Sequence, residues 1–168
     1  MKLAPRALPE LLAGRRIASV TGTNGKTTTT HFLTAAVRAG TSDSQRSVVT
    51  NADGANLHHG IVSALGQAPD ATIAVLETDE RVVADVVAMG SPEVLVLLNF
   101  SRDQLDRNHE LTFLGRDWRV ALEKAAERGP TVVANACDPL IVWVCQKARH
   151  VIWVDTKPRW TADATLCP

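Results

Sequence analysis

Residues 20–28, Val-Thr-Gly-Thr-Asn-Gly-Lys-Thr-Thr, constrain this chain more than any other stretch. An apolar run, Arg16-Ile17-Ala18-Ser19-Val20, leads into them, and a helical pattern, Thr30 to Val37, leaves them. Strand, glycine-containing turn and helix in that order form the setting of a phosphate-binding loop. Gly22 and Gly25 reach backbone angles closed to other residues, so the chain can wrap an anion closely. The N–H groups of the turn and of the helix start then face that anion. Lys26 supplies a point charge for the β- and γ-phosphates, and the Thr27 hydroxyl is placed to ligate Mg²⁺. The general phosphate-loop pattern wants glycine at position 20, where this chain has Val20. The competing bland interpretation is an ordinary strand–helix turn with a solvated lysine.

The 168 residues amount to one domain, long enough to bury a core without disulfides or metals. Basic and acidic residues balance, 18 against 18. The charge therefore gives no argument for binding nucleic acid or an anionic membrane. The cysteines, Cys137, Cys145 and Cys167, are odd in number and lack disulfide spacing, which favours a reducing compartment. The first residues show no signal peptide and no stretch reaches transmembrane length, so the expected location is the cytoplasm. The pattern breaks down after Asp155 and stops at Cys167-Pro168, which reads as a cut through a longer protein.

Apolar runs alternate with helical periods. Strands are expected at 16–21, 47–51, 72–77, 94–99, 131–135 and 151–155, and helices at 26–39, 56–65, 80–89, 114–128 and 139–147. The strand runs are rich in Val, Ile and Leu, as in strands covered on both faces. The alternation predicts an α/β fold, a mainly parallel sheet with flanking helices. Asp138 before Pro139 reads as a helix N-cap, and Gly40, Gly90 and Gly129 read as left-handed helix ends.

Ligands of such sheets sit at the carboxyl ends of the strands. The strand ends here carry the phosphate loop, Asn51, Glu77-Thr78-Asp79-Glu80, Asn99-Phe100-Ser101-Arg102-Asp103 and Asn135-Ala136-Cys137-Asp138. Their coincidence on one rim predicts a catalytic face. Glu77, directly ending a strand, is the expected Mg²⁺ ligand. Asp79 is expected to cap the next helix and Glu80 to sit at its positive end. Arg102 or Arg107 would stabilise charge on a transferring phosphoryl group, and Asp103 and Asp106 would order Mg²⁺-bound water. The alternative for that stretch is a charged surface loop. No histidine pair has metal-ligand spacing, and the tryptophans read as packing residues.

With Thr21-Gly22-Thr23-Asn24-Gly25-Lys26-Thr27-Thr28 and Asn99…Asp103-Gln104-Leu105-Asp106-Arg107 in place, the chain resembles the central ATPase domain of the Mur ligase family. Thr50-Asn51-Ala52-Asp53-Gly54-Ala55-Asn56 and Phe100 to Arg107 narrow the resemblance to the MurT branch, the ligase subunits of lipid II isoglutaminyl synthase. The resemblance implies a phosphate-loop ATPase domain over 16–155, a lead-in at 1–15, and the start of a zinc-ribbon insertion at 156–168. It implies that Gly22, Thr23, Asn24, Gly25, Lys26, Thr27 and Thr28 hold ATP, that Asn135 lies near the base, and that Thr27 and Glu77 hold Mg²⁺. Lys26, Glu77 and Arg102 are the implied catalytic residues. Cys167 matches one cysteine of a four-cysteine zinc ribbon, so zinc is expected only in a longer parent chain.

The implied reaction phosphorylates the α-carboxyl of D-glutamate in the stem peptide of lipid II. Ammonia from a GatD-like glutaminase partner then forms the amide. Gln104 and Arg119 stand where amino-acid-adding relatives have histidine and a carbamylated lysine, which favours the amidating branch. An amino-acid-adding Mur-type or folylpolyglutamate ligase and a non-catalytic nucleotide-binding module are the alternatives. The chain by itself is expected to be inactive.

Overall fold

The structure, a computed structural model, describes residues 6–41, 47–51, 54–100, 108–155 and 157. Six strands, β1 (Arg16–Thr21), β2 (Val48–Thr50), β3 (Ile73–Glu77), β4 (Val94–Leu97), β5 (Thr131–Asn135) and β6 (His150–Val154), form one sheet in the order β2-β3-β1-β4-β5-β6. Every pairing is parallel. All the carboxyl ends therefore share one rim. The chain moves from β1 to β2 and β3 on one side and then to β4 on the other, so the β1 loop opens at the crevice where the strand order reverses. Helices α1 (Ala7–Leu12), α2 (Lys26–Ala39), α3 (His58–Gln67), α4 (Val83–Gly90), α5 (Asn108–Ala125) and α6 (Pro139–Cys145) connect or flank the strands.

Strand residues alternate between the two faces of the sheet. Ile17, Ala74, Leu76, Leu95, Leu97, Val132 and Ala134 lie on one face and build two buried clusters with α1, α3, α4, α5 and α6. Trp118 of α5 and Ile141 of α6 fill the first cluster, and Leu12 of α1 and Ile61 and Leu65 of α3 fill the second. Val20, Val48 and Val75 point the other way and are buried outside both clusters. That face is covered by α2, which packs on β1, β2 and β3.

Several expectations need correction. Helix α1 lies within the presumed lead-in: Leu8 and Leu12, one turn apart, are buried against α3 and α4. Strand β6 is not covered on both faces. Ile152, Trp153 and Val154 are 55%, 47% and 44% exposed, so Trp153 is half-exposed where a packing residue was expected. The glycine caps also differ. Gly40 is right-handed at φ −87°, and Gly90 ends α4 while Ser91 takes the left-handed turn at φ 44°. Gly129 is not among the positive-φ glycines of the described residues. Asp138 does cap α6, its carboxylate accepting from the N–H groups of Leu140 and Ile141.

Candidate functional site

The turn between β1 and α2 is set by two glycines in the left-handed half of backbone space, Gly22 at φ 142° and Gly25 at φ 85°. A side chain on Gly22 would place its Cβ 2.8 Å from Leu98 Cβ and 2.9 Å from the Asn99 nitrogen. The loop therefore lies flat against the end of β4. It is fastened there by the Thr23 N–H to the Asn99 carbonyl at 2.9 Å. The Asn99 side chain adds two bonds, accepting from the Asn24 N–H at 2.9 Å and donating to the Asn24 carbonyl at 3.0 Å. Gly25 precedes α2 as its N-cap, and among the described residues no side chain caps the first turn. The N–H groups at Lys26, Thr27 and Thr28 thus keep the open end that suits an anion.

Lys26 folds back into this loop. Its ammonium donates to the Gly22 carbonyl at 2.6 Å, the Thr23 carbonyl at 3.4 Å and Glu80 Oε1 at 3.4 Å. Glu80 therefore meets the lysine of the phosphate loop rather than simply sitting at the positive end of α4. Asp79 is not a cap of that helix, which starts at Val83 with Val82 before it. Its carboxylate instead closes a tight turn, accepting from the backbone and side chain of Arg81. Burial pulls the Asp79 carboxyl upward, and the Arg81 bonds outweigh it and hold it below the ordinary range.

Glu77 ends β3 and is 2% exposed. Its position is held from two directions. The Asn51 side chain accepts from the Glu77 N–H and donates to its carbonyl, both at 2.8 Å, and Asn56 Nδ2 donates to Glu77 Oε1 at 3.0 Å. Glu77 Oε2 is buried without a hydrogen-bond partner among the described residues, as is Thr21 Oγ1 at the start of the loop. An orphaned buried carboxylate oxygen costs free energy and fits a cation or its water. Among the described residues no three His, Cys, Asp or Glu side chains gather as a ready-made metal cage. Mg²⁺ does not need one, since it takes one or two protein oxygens and completes its shell with phosphate and water. The orphaned oxygen of Glu77 suits that partial role.

On the far side of the rim, Asn135 donates from Nδ2 to the Leu98 carbonyl at 2.9 Å and accepts from the Cys137 N–H at 2.9 Å. Asp138 Oδ2 accepts the Phe100 N–H at 2.6 Å. Asn51, Asn99 and Asn135 were expected to line a catalytic face, and each spends its amide fastening a neighbouring chain segment. Arg119 turns to α6, where its guanidinium lies 4.4 Å from the Trp143 ring centre and donates to the Trp143 carbonyl. His58 pairs with Asp85 at 2.7 Å, an arrangement within the helices and not at the loop. Cys145 is buried, and burial pushes its thiol up to about 12. Arg102, Asp103, Asp106, Arg107 and Cys167 lie outside the described residues.

Comparison with known proteins decides the lineage. Residues 20–158 match the Mur ligase middle domain. The chain belongs to the Mur ligase family. Among this family, it is 33% identical over 127 residues to the lipid II isoglutaminyl synthase (glutamine-hydrolyzing) subunit MurT of Staphylococcus aureus (strain COL), covering 74% of this chain and 28% of that protein. The MurT subunit of Streptococcus pneumoniae (strain ATCC BAA-255 / R6) is 35% identical over 137 residues, covering 79% and 29%. The chain thus spans less than a third of the length of these curated relatives. A solved Mur ligase, UDP-N-acetylmuramoyl-L-alanyl-D-glutamate–2,6-diaminopimelate ligase, shares the fold with a TM-score of 0.60 at 22% identity, covering 86% of this chain and 33% of that one. Among the described residues no helix of this Mur ligase domain is long and apolar enough to cross a membrane.

Proposed function

We propose that this Mur ligase domain binds Mg²⁺-ATP and serves a ligase that amidates the α-carboxyl of D-glutamate in the lipid II stem peptide. The observation that carries the first part is the loop itself: a left-handed Gly22–Gly25 turn, an uncapped α2 start and Lys26 converge at the strand-order reversal. ATP and Mg²⁺ are general to the family. The second part rests on the similarity to MurT subunits.

In this reading the open N–H groups at Lys26, Thr27 and Thr28 hold the phosphates, and Lys26 offsets the charge that grows on the transferring phosphoryl group. Thr27 and Glu77 would hold Mg²⁺, which would supply charge neutralisation to the reacting phosphates. Arg102 adds a second positive group, and Asn135 stands beside the base. The carboxylate becomes an acyl phosphate, ammonia attacks its carbonyl carbon, and phosphate leaves. Ammonia comes from a GatD-like glutaminase partner. The working compartment is the cytoplasm, 16–155 is the ATP-binding unit, and any zinc belongs to a longer parent chain that includes Cys167.

The test is mass spectrometry of lipid II incubated with the full-length parent, its glutaminase, ATP, Mg²⁺ and glutamine. Conversion of the stem-peptide carboxyl to amide, abolished by Lys26→Ala, is expected. No conversion with both proteins folded and the glutaminase active overturns amidation and points to an amino-acid-adding ligase, and Mg²⁺-ATP binding without any turnover points to a binding module.

A further inference from the structure

An ammonium group has three N–H donors. In Lys26 one is taken by the Gly22 carbonyl at 2.6 Å, while the Thr23 carbonyl and Glu80 Oε1, each at 3.4 Å, make longer contacts. A phosphate oxygen that reaches this ammonium competes with these three acceptors. The Gly22 bond, at 2.6 Å, is the shortest. Glu80 is the one acceptor with a full negative charge, and a like charge arriving beside it raises its cost.

Glu80 is also not a loose surface carboxylate. The Lys26 and Glu80 side chains are only 14% and 16% exposed. The Glu80 carbonyl accepts the indole N–H of Trp118 at 2.8 Å, and Trp118 is 1% exposed. Phe100 stacks on Trp118 with ring centres 4.4 Å apart, and the Phe100 N–H is tied to Asp138. The carboxylate thus hangs from a backbone position braced by α5 and by the ends of β4 and β5.

We propose that Glu80 is a positioning residue that holds the Lys26 ammonium back in the empty phosphate loop and is displaced when a nucleoside triphosphate binds. The inference rests on the loop taking a nucleotide. Glu80 competes with the γ- and β-phosphates for one proton of Lys26, so it sets the affinity threshold of the site.

The test is calorimetric titration of the purified protein with ATP in the absence of Mg²⁺, which removes any part Glu80 plays toward the metal. Glu80→Gln is nearly isosteric and keeps the backbone bond to Trp118. It is expected to tighten ATP binding roughly fivefold, the scale of a partly shielded ion pair. Asp79→Asn removes a neighbouring charge that is bonded to Arg81 instead, and it is expected to leave the affinity within about twofold. Unchanged or weaker binding by Glu80→Gln overturns the inference. Equal tightening by both variants also overturns it, because the effect would then be bulk charge. Absence of ATP binding by the unsubstituted protein without Mg²⁺ overturns the inference alone when Mg²⁺-ATP still binds, and absence of binding under both conditions removes the nucleotide reading as well.

Discussion

The Asn99 side chain grips both polar groups of the Asn24 peptide backbone, one bond in each direction. One amide therefore fixes the outermost point of the phosphate loop to the end of β4. Asn99→Ala removes both bonds where water can replace them, so the loss of stability is expected to be small, about 1 kcal/mol. The loop's geometry loses more than the fold does. ATP affinity, read by calorimetry, is expected to fall by roughly three- to tenfold, with the melting temperature lowered by only a few degrees.

Gly22 presents the opposite case. A methyl group there meets Leu98 Cβ and the Asn99 backbone in a conformation at φ 142° that side chains avoid. The obstacle includes backbone, so it cannot swing aside. Gly22→Ala is expected to destabilise by about 2–3 kcal/mol, measured as a lower urea midpoint with an unchanged slope. Gly14, also left-handed but with none of the described residues within 4 Å of an added Cβ, supplies the control: strain alone, without the clash, is expected to cost about 1 kcal/mol.

Glu77 separates stability from function. Its Oε2 is buried without a protein partner among the described residues, and a neutral amide is less costly to bury unpaired than a carboxylate. Glu77→Gln is expected to melt at the same temperature or slightly higher. It is also expected to lose most of the gain in nucleotide affinity that Mg²⁺ confers. Melting curves and titrations with and without Mg²⁺ check the pair of effects, and a destabilised variant with intact Mg²⁺ dependence would contradict the assigned role.

Asp79 gives a pH signature. Its carboxyl is held below the ordinary range in the folded chain because the Arg81 bonds outweigh its burial. The unfolded chain then binds the proton more readily. The stabilisation is present above the ordinary carboxylate value, about 3.9, and is lost as pH falls through the lower folded value. Asp79→Asn is expected to flatten the acid limb of a stability-against-pH curve below about pH 4, while curves above pH 6 run parallel to the parent.

The alternation of strands and helices was legible because each strand carries its own apolar run. Helix α2 starts and ends where its pattern does, at Lys26 and Ala39. Helix α1 offered only Leu8 and Leu12 as a buried pair in six residues, too short a pattern to register a period. The exposure of β6 depends on what packs on its faces and not on its own residues, since β2, the other edge strand, has Val48 and Val49 buried. The phosphate loop was readable because its parts are contiguous. Its fastenings were not, since Asn99 meets Asn24 across 75 positions and Glu80 meets Lys26 across 54. Asparagine at a strand end announces a polar group there, but only the neighbouring strand decides whether the amide faces a ligand or a backbone.

Asn51, Asn99 and Asn135 each knot the point where a connection departs from the sheet. Each departing loop consequently starts from a moored post, and a change of length or sequence farther along it has no lever with which to pull on the sheet. The rim behaves as a row of sockets in a rigid panel: the fittings can be exchanged one at a time while the spacing between them stays put.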